Sequence, residues 1–273
     1  MKKKILQSVL LCSVLSGILI ACEDDDPVGP SIVQEWSVPL SAKHENPAPA
    51  GRTETGTATI QLLSDNTIKY TIAVNGLAAG DALTAAHIHV GDVVTNGGVI
   101  LGFDPVFNGT NATGIVSNIR TTFIDSLKNN VNELYFNVHS TQVPSGLVRG
   151  QINTGIDFAI DVALSGTNQV PPVTTTATGI ALLRLTTDKK LYSKVTVTNL
   201  EPADALLLAH IHKAAVGVNG PVIIDLSGSA ADFGVSKVST PSDANITSLK
   251  TEAVYVNTHS VNHPAGLIRG QIR

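Results

Sequence analysis

Along most of the chain, short aliphatic and β-branched runs alternate with turn-forming residues, which is the pattern of strands. Residues 57–63 and 68–74 form one pair of runs, separated by Ser64-Asp65-Asn66, which supplies turn chemistry. Residues 179–185 and 191–197 repeat the pair around Thr186-Thr187-Asp188-Lys189. Further strands are expected at the His-x-His segments and over 99–103, 134–140 and 148–152. Helical spacing is confined to 122–128, through Phe123 and Leu127, and to 244–250, through Ile246 and Leu249. Short strands broken by Gly and Pro turns predict an all-β chain of antiparallel Greek-key sandwiches, each with one short helix.

The strand pattern occurs twice. Ala86-His87-Ile88-His89 returns 123 residues later as Ala209-His210-Ile211-His212, and Asn96-Gly97-Gly98-Val99-Ile100 returns at the same offset as Asn219-Gly220-Pro221-Val222-Ile223. Tyr135-Phe136-Asn137-Val138-His139-Ser140 returns 120 residues later as Tyr255-Val256-Asn257-Thr258-His259-Ser260. The segment 144–152, Pro-Ser-Gly-Leu-Val-Arg-Gly-Gln-Ile, returns over 264–272 with that same offset. A three-residue deletion therefore falls in a connecting stretch. A unit this long is a whole domain. The copies are placed at 32–153 and 156–273, and the short joint between them favours contact.

The first residues follow a different rule. Met1-Lys2-Lys3-Lys4 is basic, and residues 5–20 are apolar apart from Gln7, Ser8, Ser13 and Ser16. That run is shorter than the roughly 20 residues a membrane-spanning helix needs, so 1–21 reads as a secretory signal peptide. It ends in Leu19-Ile20-Ala21-Cys22, which resembles the lipobox of bacterial lipoproteins. The resemblance implies cleavage before Cys22 and a lipid on it. The stretch 22–31 carries Glu23-Asp24-Asp25-Asp26-Pro27, a solvated acidic tether that also resembles the export tract of surface-exposed lipoproteins. The expected location is the bacterial cell envelope, lipid-anchored at the outer membrane, with surface exposure implied by the export-tract resemblance alone and the membrane face left open.

Composition narrows the classes. A hydrophobic content of 43% excludes a disordered chain, and a net charge of -4 excludes the basic stripe of a nucleic-acid binder. Loss of the leader leaves 15 basic against 22 acidic residues, so attachment would come from acyl chains and not from charge. Cys12 and Cys22 both precede the domains, which leaves no disulfide framework and no thiolate metal site. No Gly-rich loop opens a helix, no Gly-x-Ser-x-Gly elbow occurs, and few acidic positions match between copies. No catalytic set emerges.

Six of the eight histidines fall at matched positions: His87, His89 and His139, then His210, His212 and His259. On a strand, i and i+2 share a face with alpha carbons about 6.6 Å apart, which suits two ligands of one metal. A third imidazole from a neighbouring strand would complete a set suited to zinc or copper, with one position open. Tyr135, Asn137, Arg149 and Gln151, with Tyr255, Asn257, Arg269 and Gln271 in the second copy, are candidate supporting groups. The competing reading is a structural network in which histidine, asparagine and arginine satisfy a partly buried polar seam. His44 and His263 have no histidine counterparts and read as surface residues.

The Gly-Thr-Ala and Gly-Ile-Ala strand starts at Gly56 and Gly179, Ala-His-Ile-His, Asn-Gly-Gly/Pro-Val-Ile, Tyr-x-Asn-x-His and Pro-x-Gly-x-x-Arg-Gly-Gln-Ile recur twice in order. Together they resemble the CHRD domain, named for the extracellular antagonist chordin and present in microbial secreted proteins. The resemblance implies an extracellular or envelope interaction module. A more distant similarity is to copper/zinc superoxide dismutase, through His-x-His followed by a later histidine. The bridging histidine, zinc loop and cysteine pair of that enzyme are missing here, so only the sandwich and a copper-binding remnant carry over. The leading expectation is a non-enzymatic, lipid-anchored module for adhesion or for binding an extracellular or periplasmic protein or matrix. The alternative is a copper- or zinc-binding envelope protein, with a redox role implied by that second similarity.

Overall fold

The computed structural model describes residues 29–129 and 133–273. The basic start, the apolar run, Cys22 and the acidic run after it lie outside these residues.

Period-two burial builds the first domain. In β3 (Ile68–Asn75) the side chains of Ile68, Tyr70, Ile72 and Val74 turn inward while the residues between them face out. This strand closes a meander with β1 (Ile32–Ser41) and β2 (Thr55–Leu63). The remaining elements are β4 (Leu83–Val90), β5 (Val99–Gly102), β6 (Asn111–Val116), α1 (Thr121–Asn129), β7 (Leu134–Ser140) and β8 (Val148–Gln151). The antiparallel strand order is β5-β4-β7-β8-β1-β2-β3-β6. Pairing between β8 and β1 narrows to one bridge, Ser41 to Arg149, and the sheet folds over at that corner. Val38, Ile60 and Ile72 from one half then meet Ile88, Phe136 and Val138 from the other in a single core. α1 closes an end of it with Phe123, Ile124 and Leu127. The crossings from β3 to β4 and from β5 to β6 give the Greek key.

The second domain repeats the design with β9 (Ile156–Ser165), β10 (Thr178–Thr186), β11 (Leu191–Thr198), β12 (Leu206–Lys213), β13 (Val222–Ser227), β14 (Lys237–Ser239), α2 (Asp243–Thr251), β15 (Val254–Ser260) and β16 (Ile268–Gln271). Its strand order, β13-β12-β15-β16-β9-β10-β11-β14, is that of the first. Its core is more aliphatic: Ile160, Ser193 and Val256 stand where the first domain has Trp36, Tyr70 and Phe136. The predicted runs at 57–63, 68–74, 179–185 and 191–197 are strands, and both helices extend one residue further at each end. β1, β9, β6 and β14 were not among the predicted strands; β6 and β14 are short edges.

The domains touch. Leu182 and Tyr192 of the second domain pack on Val93 and Val94 of the first, and all four are buried. From Ala181 to Thr186, β10 is buried at every position, because its outer face is covered as well as its inner one. The covered loop of the first domain, residues 91–97, follows the His-x-His strand directly.

Candidate metal centre

β4 and β7 run antiparallel, with His87 opposite Asn137, His89 opposite Tyr135 and Ala85 opposite His139. Ile88 is fully buried in the core, so His87 and His89 project together from the outer face. His139, two residues along β7 from Asn137, joins them diagonally. The three residues each offer a nitrogen within 4.8 Å of the others, and His210, His212 and His259 form the same group. Zinc binds imidazole nitrogen at about 2.0–2.1 Å, so each set would have to tighten to hold one ion.

Backbone carbonyls fix the tautomers. A carbonyl only accepts, so His89 Nδ1 donates to Gly97 O at 3.0 Å and His139 Nδ1 donates to Pro144 O at 2.9 Å. Both Nε2 atoms therefore carry lone pairs. His87 Nδ1 lies 3.0 Å from His139 Nε2, the arrangement of a donor waiting on an acceptor. His89 Nε2 is buried without a hydrogen-bond partner, as is His212 Nε2. In the second domain His212 Nδ1 meets Gly220 O at 2.9 Å, His259 Nδ1 meets Pro264 O at 3.0 Å, and His210 Nδ1 lies 3.3 Å from His259 Nε2. Burial, then the neighbouring histidines, lowers the pKa of His87 and His210; burial lowers those of His89, His139 and His212. Those five rings are thus neutral near pH 7, the form that ligates metal.

A pillar of stacked side chains holds the His89 ring. Tyr135 lies parallel to His89, with centroids 4.8 Å apart and 6° between planes. The Arg149 guanidinium covers Tyr135 at 3.4 Å from its centroid. Arg149, fully buried, donates from Nη1 to Asn96 Oδ1 at 2.8 Å and from Nη2 to the carbonyls of Asp92 and Thr95. Gln151 Nε2 donates to Gly91 O at 2.6 Å, and Gly97 N donates to the Tyr135 hydroxyl at 3.3 Å. Loop 91–97 is therefore wound around the arginine and delivers Gly97 O to His89. Burial lowers the Arg149 pKa to about 10, which leaves it charged at pH 7. The second domain repeats the pillar as His212, Tyr255 and Arg269, with the guanidinium 3.3 Å from the ring centroid. Arg269 binds Asn219 Oδ1 and the carbonyls of Ala215 and Val218, while Gln271 binds Ala214 O.

Asn137 and Asn257 turn elsewhere. Asn137 Nδ2 donates to Glu45 Oε1 at 2.6 Å, and Asn257 Oδ1 accepts from Gln169 Nε2 at 2.6 Å. This contact explains the glycine of Pro-x-Gly. Gly146 sits at φ +136°, and a Cβ there would stand 2.6 Å from Asn137 Nδ2 and 2.9 Å from Glu45 Oε1. Glu45 was not legible from the repeat, because the second copy has Gln169 in its place. Burial raises the Glu45 pKa to about 8 against the opposing pull of Arg149 and Arg184. His44 differs from its expected surface role: it is half-buried against Arg149 O at 3.2 Å, where Asn168 meets Arg269 O in the second copy. Burial lowers its pKa to about 4. A cavity of about 660 Å³ lies beside the first site, lined by Glu45, His89, Asn96, Tyr135, Asn137 and Gly146 among others.

The architecture is a tandem of antiparallel sandwiches, each carrying three converging imidazoles and a cationic pillar on one outer face. The chain belongs to the CHRD domain family, which matches residues 36–152 and again residues 160–272. No curated protein and no solved structure matches it.

Replacing Glu45 by the residue its own repeat uses tests the buried carboxyl. A pKa raised from 4.5 to about 8 means the folded protein holds the proton, and holding it stabilises the fold at low pH. That contribution is lost as pH rises through the interval. Relative to Glu45→Gln, the unmodified protein should lose stability from about pH 4.5 to 8, by at most about 5 kcal/mol, and no more beyond. Urea unfolding across that pH range checks it; parallel stability curves would show that the carboxyl ionises normally.

Proposed function

We propose that this is a transition-metal-binding protein of the cell envelope, holding one copper or zinc ion on three imidazole nitrogens in each domain. The observation that carries this reading is the pair of buried Nε2 lone pairs, on His89 and His212, with no partner of their own. Each faces a set of histidines already clustered, and the ring N–H groups of the outer members are tied to backbone carbonyls. Ligating histidines are held in this way so that ring orientation and basicity are set before metal arrives. Three neutral nitrogens suit zinc or copper and leave a coordination position open. The pillar residues serve this role and the structural network at once, since they brace the ring that lacks a partner.

Chain purified without an affinity tag and incubated with copper or zinc should retain two ions, counted by elemental analysis. His87→Ala combined with His210→Ala should bring this near zero. Less than a tenth of an ion on the unmodified chain would overturn the reading.

The attachment we propose is a lipid on Cys22, supported by the lipobox resemblance and the acidic run after it. No helix among the described residues is long and apolar enough to cross a membrane. Cys22→Ser should move the protein from the detergent phase to the aqueous phase on phase partition, with its metal load intact. Partition unchanged by the substitution would rule the lipid out.

Contact with another protein or with matrix is a second reading, and one observation favours it. Val216 and Val218 are exposed together on loop 214–220 of the second domain, whereas Val93, which takes the place of Val216 in the first, is buried. Val216→Ser with Val218→Ser should then reduce retention of the released chain on envelope preparations by at least half. Retention equal to that of the unmodified chain would remove those residues from the contact.

A further inference from the structure

The two metal sites are alike in their ligands and unlike in what stands behind them. Behind the first site, Arg184 of the second domain is fully buried and reaches across the domain boundary. Its Nη2 donates to Glu45 O at 2.6 Å and to Asn46 Oδ1 at 3.2 Å, while Nη1 pairs with Asp161 at 2.7 Å. Asp161 in turn accepts from Ala48 N at 2.7 Å. Asn46 passes the contact on: its Nδ2 donates to Val93 O at 3.0 Å, and its carbonyl accepts from Asn96 Nδ2. Asn96 holds Arg149, and the next residue, Gly97, holds His89. Leu182 and Tyr192 press on the same loop from outside, leaving Val93 and Val94 each 1% exposed.

Among the described residues the second site has no such backing. Val170 stands where Asn46 does and offers no side-chain amide, and Val216, in the place of Val93, is 76% exposed. Loop 214–220 is held by Arg269 and by Asn219 Nδ2 on Val170 O, with no apolar cover.

We infer that the second domain acts as a clamp on the first domain's metal site, with Arg184 and Asn46 as positioning residues that fix loop 91–97 and, through Gly97, the His89 ring. The inference rests on the metal-binding reading above. Outer partners of metal-ligating histidines typically alter affinity by about 10–100-fold when lost. Unclamping should therefore weaken the first site alone.

The first domain supplies a fold-compatible way to unclamp. By the 123-residue offset, its outer face carries Thr59, Gln61 and Lys69 where the second carries Leu182, Arg184 and Tyr192. Full chains with one site removed, by His210→Ala and His212→Ala or by His87→Ala and His89→Ala, are titrated with zinc against a chelator. Adding Leu182→Thr, Arg184→Gln and Tyr192→Lys should weaken the first site about tenfold and leave the second within twofold. Asn46→Val, which copies the second domain, should do the same from the other side of the boundary. A first site unchanged in both variants, or both sites weakened equally, overturns the clamp. Exchange of the imidazole N–H protons, followed by NMR on metal-free chain, separates this from the metal reading. His89 should exchange more slowly than His212 in the unmodified chain and at a similar rate after unclamping. Equal protection beforehand overturns the clamp whatever the zinc result, and absence of zinc from both parent chains removes the metal reading.

Discussion

A guanidinium taken fully out of water and laid on a tyrosine ring is the contact on which each domain's outer face depends. Burying a charge without an ion pair costs several kcal/mol unless its donors are met. Arg149 meets that cost with an amide oxygen, two backbone carbonyls and the Tyr135 face. Charge-assisted bonds contribute about 1.5–3 kcal/mol each, and a desolvated cation–π contact about 2. The arrangement needs a planar, forked cation, which lysine is not. Once the arginine is in place the remainder follows in order. The loop must close around it, the tyrosine must lie flat beneath it, and the histidine must stack on the tyrosine. The unpartnered His89 Nε2 is thus aimed by a contact two side chains away from it.

What could be read in the sequence follows from how each feature is encoded. Alternation along 57–63 and 68–74 shows because one face of those strands meets the core and the other meets water. The His-x-His spacing states a shared face through chain geometry alone. Gly97 O and Pro144 O, which set two tautomers, are backbone atoms, and any residue type supplies them. The Glu45–Asn137 contact joins positions 92 residues apart, and Gln169 takes the place of Glu45 in the second copy, so the repeat hides it. β10 also concealed a feature. Its run of apolar residues reads as ordinary strand, yet Leu182 and Arg184 are covered by the other domain and not by their own core.

Duplication kept some positions and released others, and the division is physical. The pillar and the three histidines are the same in both copies because each depends on the one before it. Core residues vary freely, since Trp36 and Phe136 can become Ile160 and Val256 if volume is recovered elsewhere in the sandwich. The residues behind the pillar, Glu45 and Asn46 against Gln169 and Val170, differ because only the first copy has a domain packed there.

That packing is head-to-tail. The outer face of one domain meets the loop side of the next, a heterologous contact that by symmetry can be repeated without limit. The two outer faces differ in composition. On the first domain's outer face Thr59 and Lys69 stand where the second domain presents Leu182 and Tyr192, so that face offers less apolar surface at the matched positions. The face that could engage another loop side, that of Leu182 and Tyr192, is already occupied within the chain. The loop side of the second domain, where Val216 and Val218 are exposed, is the counterpart of the surface that Leu182 and Tyr192 cover on the first.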